Sequence, residues 1–195
     1  MFSLIYCAAG CGRIAITGSK LCALHSSDIK AEEIRICNLI KQGADVCDLN
    51  APYMRFENED FSGRRFYACN FKYSSFSACN FSDCSMQLTL FDFADFYNCS
   101  FKQANLEFLS FAGARLQQVC FEDSDLVSIN YNGASVAGCS FDNSGMYNSR
   151  FINADMVCVS FVNCNIKRTS FIMSRRKSVS FKTSNTGEAI FEMLE

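Results

Sequence analysis

A large apolar residue stands at every fifth position through most of this chain, and this spacing constrains the fold more than any other feature. In FYACNFKYSSFSACNFSDCSM, residues 66–86, a phenylalanine occupies four successive fifth positions starting at Phe66, and Met86 continues the series. A period of five matches neither the 3.6-residue repeat of an α-helix nor the two-residue repeat of a β-strand. The sequence therefore predicts a stacked repeat rather than one face of a helix or sheet.

The series runs without a break from Phe56 to Phe171, which makes 24 quintets. Two residues before each large residue there is mostly a small one, and the other positions are rich in Asn, Asp, Ser and Gly. A chain that bends every five residues closes after four quintets, so residues twenty apart stack at strand-like spacing. We expect two adjoining interior columns: Cys79, Cys99, Val119, Cys139 and Val159, and Phe81, Phe101, Phe121, Phe141 and Phe161.

The composition is consistent with one structural requirement repeated along the chain, since there are 20 phenylalanines but no tryptophan and a single proline. Many of the thirteen cysteines fall on inward quintet positions, where a small thiol packs well, so we expect them to be reduced and the protein to be cytoplasmic. The apolar run before Cys7 is too short for a cleaved signal, and no stretch approaches the roughly 18 apolar residues of a membrane span.

The quintets place a small residue, then Asp or Asn, then a large apolar residue, as in ADFYN, ANLEF, SDLVS and ADMVC, which begin at residues 94, 104, 124 and 154. This order resembles the pentapeptide-repeat family over about two thirds of the chain. The resemblance implies an all-β solenoid, a right-handed four-sided β-helix of about six coils. Leu109 and Ile129 are bulky at the small position, and Arg176 at a large position predicts that the regular coil frays near residue 174.

The sequence divides into four parts: a candidate zinc module (1–26), a capping helix with its linker (27–48), the β-helix (49–185) and a tail or short helix (186–195). Helix 27–43 has Ser26 and Ser27 as candidate N-caps and ends at Gly43. Its predicted apolar face is Ile29, Ile36, Leu39 and Ile40. The tail would place Ile190, Phe191 and Leu194 on one side, either to cap the last coil or to pair with its copy, so the chain is a monomer or a homodimer.

One set of residues has the chemistry of a metal site. Cys7, Cys11, Cys22 and His25 are spaced C-x3-C-x10-C-x2-H, and three thiolates with one imidazole make a closed, structural zinc site. About 25 residues are too few to form a core without such a clip. The alternative is that these are small apolar residues of an unstructured start.

The remaining residues argue against catalysis. His25 is the only histidine, no glycine-rich phosphate loop is present, and the carboxylates stand at outward quintet positions. Cys120 and Cys158 are the cysteines least well placed inside, and no histidine lies near them in sequence. We therefore expect a non-enzyme, and activity dependent on these two cysteines would contradict this.

Charge and exposed aromatics indicate where a partner would bind. One side of the rod, here called the acidic face, is centred on Phe61, Phe81, Phe101, Phe121 and Phe141. It carries one cation, Lys102, against six carboxylates: Glu59, Asp60, Asp83, Glu122, Asp123 and Asp142. Residues 164–182 hold six cations and no acid, which makes the predicted rod bipolar. Tyr73 and Phe93 are twenty apart and should stack outside; they either form a contact surface or lie over the turns.

Three functions follow from these features. A rigid protein-binding scaffold fits the absence of catalytic groups and the appended front end. The family resemblance implies a second, a DNA mimic that binds a type II topoisomerase (gyrase) and gives quinolone protection, for which the acidic face is the local support. The family resemblance also implies a third, a secreted bacterial effector. With a net charge of -2, direct binding to nucleic acid is not expected.

Overall fold

The computed structural model describes residues 5–192, so Leu194 of the predicted tail lies outside the described residues. The chain begins with a small module, followed by helix α1 (Ile29–Gln42) and a rod of three-residue strands. A single 3-10 turn, Thr186–Glu188, stands where a short C-terminal helix was predicted. The strands are β1 (Asp45–Cys47), β2 (Arg55–Glu57), β3 (Arg65–Tyr67), β4 (Ser75–Ser77), β5 (Ser85–Gln87), β6 (Asp95–Tyr97), β7 (Asn105–Glu107), β8 (Arg115–Gln117), β9 (Asp125–Val127), β10 (Ser135–Ala137), β11 (Asp155–Val157) and β12 (Arg175–Lys177).

All strand pairs of the rod are parallel and join residues twenty apart, for example Phe56 with Phe76. Two sides of the rod are sheets, ordered β1-β3-β5-β7-β9 and β12-β11-β10-β8-β6-β4-β2. The other two sides are held by single bridges with the same offset, such as Asn70 with Leu90. The predicted solenoid is confirmed, because four quintets make one turn and each turn bonds to the next.

The core consists of the predicted columns. Phe121 is fully buried between Phe101 and Phe141, with ring centroids 5.0 and 4.8 Å away and nearly parallel planes. Neighbouring columns meet edge to face, as Phe121 does with Tyr131. Leu109 and Ile129 are buried at the small position without interrupting the register.

The rod is longer than the sequence indicated, with about seven turns instead of six. Its pairing begins at β1, before the predicted start, and continues to a bridge between Ser170 and Ile190. The coil therefore does not fray near residue 174. Arg176 is accommodated because its side chain is exposed and its guanidinium stands 5.0 Å from the ring centroid of Phe191.

Helix α1 covers the open front end of the rod. Asp28, rather than Ser26 or Ser27, is its N-cap and accepts a hydrogen bond of 3.0 Å from the Ala31 N–H. The buried side is Ile36, Cys37 and Ile40, whereas Leu39 is exposed. Among the described residues, no helix is long and apolar enough to cross a membrane.

Candidate metal centre and surfaces of the rod

Cys7 and Cys11 lie on a tight hairpin at the front of the chain. The Cys7 N–H donates to the Arg13 carbonyl at 2.8 Å, and the Gly10 N–H donates back to the Cys7 carbonyl at 3.0 Å. Gly10 and Gly12 have φ values of 71° and 73°, a region that residues with a Cβ adopt at a cost. The two glycines therefore let the backbone turn around Cys11.

Cys22 and His25 lie on one helical turn, because the N–H groups of His25 and Ser26 both donate to the Cys22 carbonyl at 3.0 Å. This turn leaves the His25 Nδ1 3.6 Å from the Cys22 Sγ. The backbone N–H of Cys22 also points at the Cys7 Sγ, 3.3 Å away. The two halves of the module thus meet at the atoms of the candidate metal ligands.

The arrangement of the four predicted ligands fits a tetrahedral ion. All four ligand atoms lie within 4.8 Å of one another. The Cys11 and Cys22 sulfurs are 3.7 Å apart, and the Cys7 sulfur is 3.4 Å from the His25 Nδ1. Zinc bound tetrahedrally at about 2.3 Å from sulfur and about 2.0 Å from nitrogen spaces such atoms about 3.5 to 3.8 Å apart.

Local hydrogen bonds favour the thiolate at two of the three cysteines, Cys7 and Cys11. The Cys22 backbone N–H lowers the pKa of Cys7 to about 6, and the Arg13 backbone N–H lowers the pKa of Cys11. Burial raises the pKa of Cys22, and the neighbouring Cys7 thiol raises the pKa of His25. An ion held by all four side chains would have no open position for water, which is the pattern of a structural rather than a catalytic metal.

The metal module is joined to the rod by hydrogen bonds of Asn50 that sequence reasoning missed. The Thr17 N–H donates to the Asn50 carbonyl at 2.9 Å, and the Asn50 side chain donates to the Ala15 carbonyl at 2.6 Å. Ile16 and Ala23 are buried in the same core as the first coil. Thr17 and Asn50 are 33 positions apart, so no local sequence pattern predicts their contact.

The acidic face is less acidic than its sequence indicates. Glu59 is paired with Lys41 of α1, and Glu122 lies 2.7 Å from the Lys102 ammonium. These cations lower the pKa of each carboxyl. Two of the six predicted carboxylates are therefore already neutralised within the chain.

The other four carboxylates of the acidic face differ in availability. Asp142 is half-buried and accepts the Val162 backbone N–H at 2.7 Å, so it serves the rod itself. Asp60, Asp83 and Asp123 are exposed, and Asp60 and Asp123 accept hydrogen bonds from side-chain amides of the next coil. Only these three remain available to a partner as exposed charges.

The basic C-terminal segment is also partly neutralised. The Lys167 ammonium lies 3.0 Å from the Glu188 carboxylate, and the Arg175 guanidinium lies 2.7 Å from Asp155. Both acids lie outside residues 164–182, which is why counting charges along that segment overstated the bipolarity.

Tyr73 and Phe93 form a ladder of stacked rings together with Tyr53, here called the aromatic ladder. The ring centroids are 4.8 and 5.2 Å apart, with planes within 8° of parallel. The Phe93 ring also covers Gly113, where an added Cβ would lie 2.6 Å from the Phe93 Cε1. The rings therefore lie over the turns, yet Tyr73 and Phe93 remain 47% and 55% exposed.

Exposed large apolar side chains of the rod are concentrated in its front half. Within residues 53–108 seven are exposed, and along the acidic face none is, for the part of the chain that the structure describes. Four more exposed residues, Tyr147, Val157, Met173 and Ile190, are spread over the back half. The seven are Tyr53, Tyr67, Tyr73, Leu88, Phe93, Tyr97 and Phe108.

The cysteines outside the metal module lack the setting of a nucleophile. All thirteen are free thiols, and most of those in the rod are buried. Burial raises the pKa of Cys120, which disfavours its thiolate. Cys158 is exposed at a corner of the rod, far in sequence from His25.

Comparisons with known proteins agree with this architecture. The family model described as the pentapeptide repeat region matches residues 74–144. A trypsin-treated form of QnrB1, a plasmid-mediated fluoroquinolone resistance protein, superimposes with a TM-score of 0.63 at 15% identity, covering 77% of this chain and 84% of that protein. Rfr23, a pentapeptide repeat protein from the cyanobacterium Cyanothece 51142, gives a TM-score of 0.34 at 10% identity, covering 85% and 99%.

No curated protein sequence matches the chain significantly. The family match lies inside the quintet series, and the structure extends the same register of twenty residues on both sides of it. The superposition on QnrB1 shows the same fold. Residues 74–144 therefore match the pentapeptide repeat, and the rod as a whole has the fold of pentapeptide-repeat proteins.

Proposed function

We propose that this chain is a non-enzymatic protein-binding scaffold whose front end is stabilised by structural zinc. The observation that carries the proposal is the concentration of exposed apolar side chains within residues 53–108, away from the acidic face. An apolar surface on a rigid rod is typical of a protein contact site. The free thiols support a reducing, cytoplasmic compartment.

Replacing two rings of the aromatic ladder tests the scaffold. Tyr73 and Phe93 have φ values of 61° and 58°, which asparagine tolerates better than most residues, so Tyr73→Asn with Phe93→Asn removes apolar surface without straining the turns. We expect the double variant to lose the proteins that cross-link to the wild type in cells. Gln103→Asn, at the same corner position on the acidic face, is the matched control.

Metal analysis tests the zinc site directly. We expect one zinc per chain in protein purified without added metal, and cobalt replacement should give the visible bands of a tetrahedral, thiolate-rich site. Cys11→Ser should abolish stoichiometric binding, whereas Cys47→Ser, an exposed cysteine of β1, should not. Stoichiometric metal in the Cys11→Ser variant would contradict the ligand assignment.

A second candidate function is binding to a type II topoisomerase through the acidic face. The observation in its favour is the set of exposed carboxylates at Asp60, Asp83 and Asp123, which can stand in for phosphates toward a basic groove. QnrB1, which has the same fold, is described as a fluoroquinolone resistance protein.

Gyrase supercoiling titrated with this protein, with and without a quinolone, separates the two candidates. Inhibition or drug protection that is lost in Asp83→Asn with Asp123→Asn, and kept in Tyr73→Asn with Phe93→Asn, would favour the topoisomerase. If folded, metal-loaded protein has no effect at micromolar concentration, the topoisomerase is excluded and the protein-binding scaffold remains the proposed function.

A further inference from the structure

A groove of about 240 Å³ lies where the metal module meets the aromatic ladder. Both parts of the molecule contribute walls, and Cys22, a candidate metal ligand, is among the lining residues. Among the others are Arg13, Ile14 and Leu24 from the module and Tyr53, Lys72 and Tyr73 from the rod. The groove exists only while the module is folded against the first coils.

The size and chemistry of the groove indicate what it can hold. Its volume is below the roughly 300 to 1,000 Å³ of pockets that enclose drug-sized molecules, so it suits one or two side chains of a longer segment. Most of its lining is apolar, and its two charged residues are both cations, Arg13 and Lys72. No carboxylate is among the described residues that line it.

The two cations are not equally available. The Lys72 ammonium lies 2.8 Å from Asp92, which is outside the groove. Arg13 is exposed beside the Cys11 thiol. Arg13 is therefore the main positive charge offered to an occupant, and an apolar anchor flanked by a carboxylate complements it.

We propose that this groove binds an acidic segment of a partner protein, with an aromatic or aliphatic side chain as anchor, and that binding requires the metal because the module supplies one wall. The proposal rests on the scaffold function above and names its site, the chemistry of its partner and its regulation. Leu24, which is 56% exposed, is the module side chain that the anchor would cover.

Peptide display tests this inference. A random twelve-residue phage library is selected on the zinc-loaded full chain, and enriched peptides are synthesised with fluorescein for anisotropy titrations. We expect a consensus with one large apolar residue beside Asp or Glu. Affinity should fall about tenfold or more in Arg13→Glu and in Leu24→Ser, and in wild type stripped of metal by a chelator.

Arg115→Glu, an exposed arginine on another side of the rod, is the matched charge control and should bind normally. Zinc content measured for every variant shows that the module is intact. The inference would be overturned by peptides that lack acidic residues, or by peptides that bind equally well to Arg13→Glu or to metal-free protein. These outcomes would not contradict the proposed scaffold function. No enrichment would also overturn it.

Two further outcomes are distinguishable. If sedimentation shows self-association that Leu24→Ser abolishes, a second copy of the chain occupies the groove and the inference is wrong. If, in addition to failed peptide selection, Tyr73→Asn with Phe93→Asn changes no cross-linked partner, the scaffold function itself fails.

Discussion

The rod and the metal module hold short segments in place by opposite means. In the rod a buried ring such as Phe121 has a neighbour above, below and beside it, so the structure is a sum of many similar contacts. The module has few core residues, among them Ile16 and Ala23, and four side chains converge at its centre. Loss of one contact should weaken the rod locally, whereas loss of the metal should unfold the module as a whole.

Metal removal should produce the largest contrast between the two regions. We expect a chelator to abolish amide hydrogen-exchange protection within residues 5–26 while residues 101–160 keep theirs, because the module lacks a sufficient core of its own. Exchange measured by mass spectrometry, with zinc added back as the control, checks this. A module that stays protected without metal would show that its packing on α1 suffices.

Truncating a stacked ring tests the rod. Phe121→Ala removes a fully buried ring between two others and should lower the free energy of unfolding by about 3 to 5 kcal/mol. Urea denaturation followed by circular dichroism measures the loss. Should this variant not fold, Phe121→Leu is expected to lose less, and Phe93→Asn, an exposed ring, should change stability far less than either.

One buried position of the rod should become more stable when a polar atom is removed. The Tyr131 ring is fully buried between Phe111 and Phe151, and its hydroxyl has no hydrogen-bond partner among the described residues. Tyr131→Phe deletes that oxygen and keeps the stacking, so we expect a gain of about 1 kcal/mol. A loss of stability in the same urea experiment would show that the hydroxyl is satisfied in solution.

The surface ion pairs should matter least. Asp95 and Arg115 form a bidentate ion pair between adjacent turns of the rod, but their side chains are 44% and 75% exposed. Asp95→Asn should therefore cost less than about 0.5 kcal/mol. Thermal melts at low and high salt check this, and an effect that persists at high salt would contradict a simple exposed pair.

The repeat and the proximity of the four candidate ligands were both predictable because each depends on local spacing in the sequence. A large residue at every fifth position admits one stacking geometry, and the structure confirms the columns through Phe121 and its neighbours. The spacing C-x3-C-x10-C-x2-H brought Cys7 and His25 together because two short turns suffice to do so. The length of the rod was underestimated from the sequence, because Arg176 interrupts the apolar pattern. Backbone pairing nevertheless continues through this residue.

The sequence by itself determined the solenoid, its interior and the four candidate metal ligands, since these depend on periodicity and on residues close along the chain. Only the tertiary structure decided which charges remain free and where a groove forms. Glu59 meets Lys41 of α1, and Asn50 meets the module, through contacts between segments far apart in sequence. Such contacts depend on how α1 and the module dock on the first coil, and docking leaves no periodic signature in the chain.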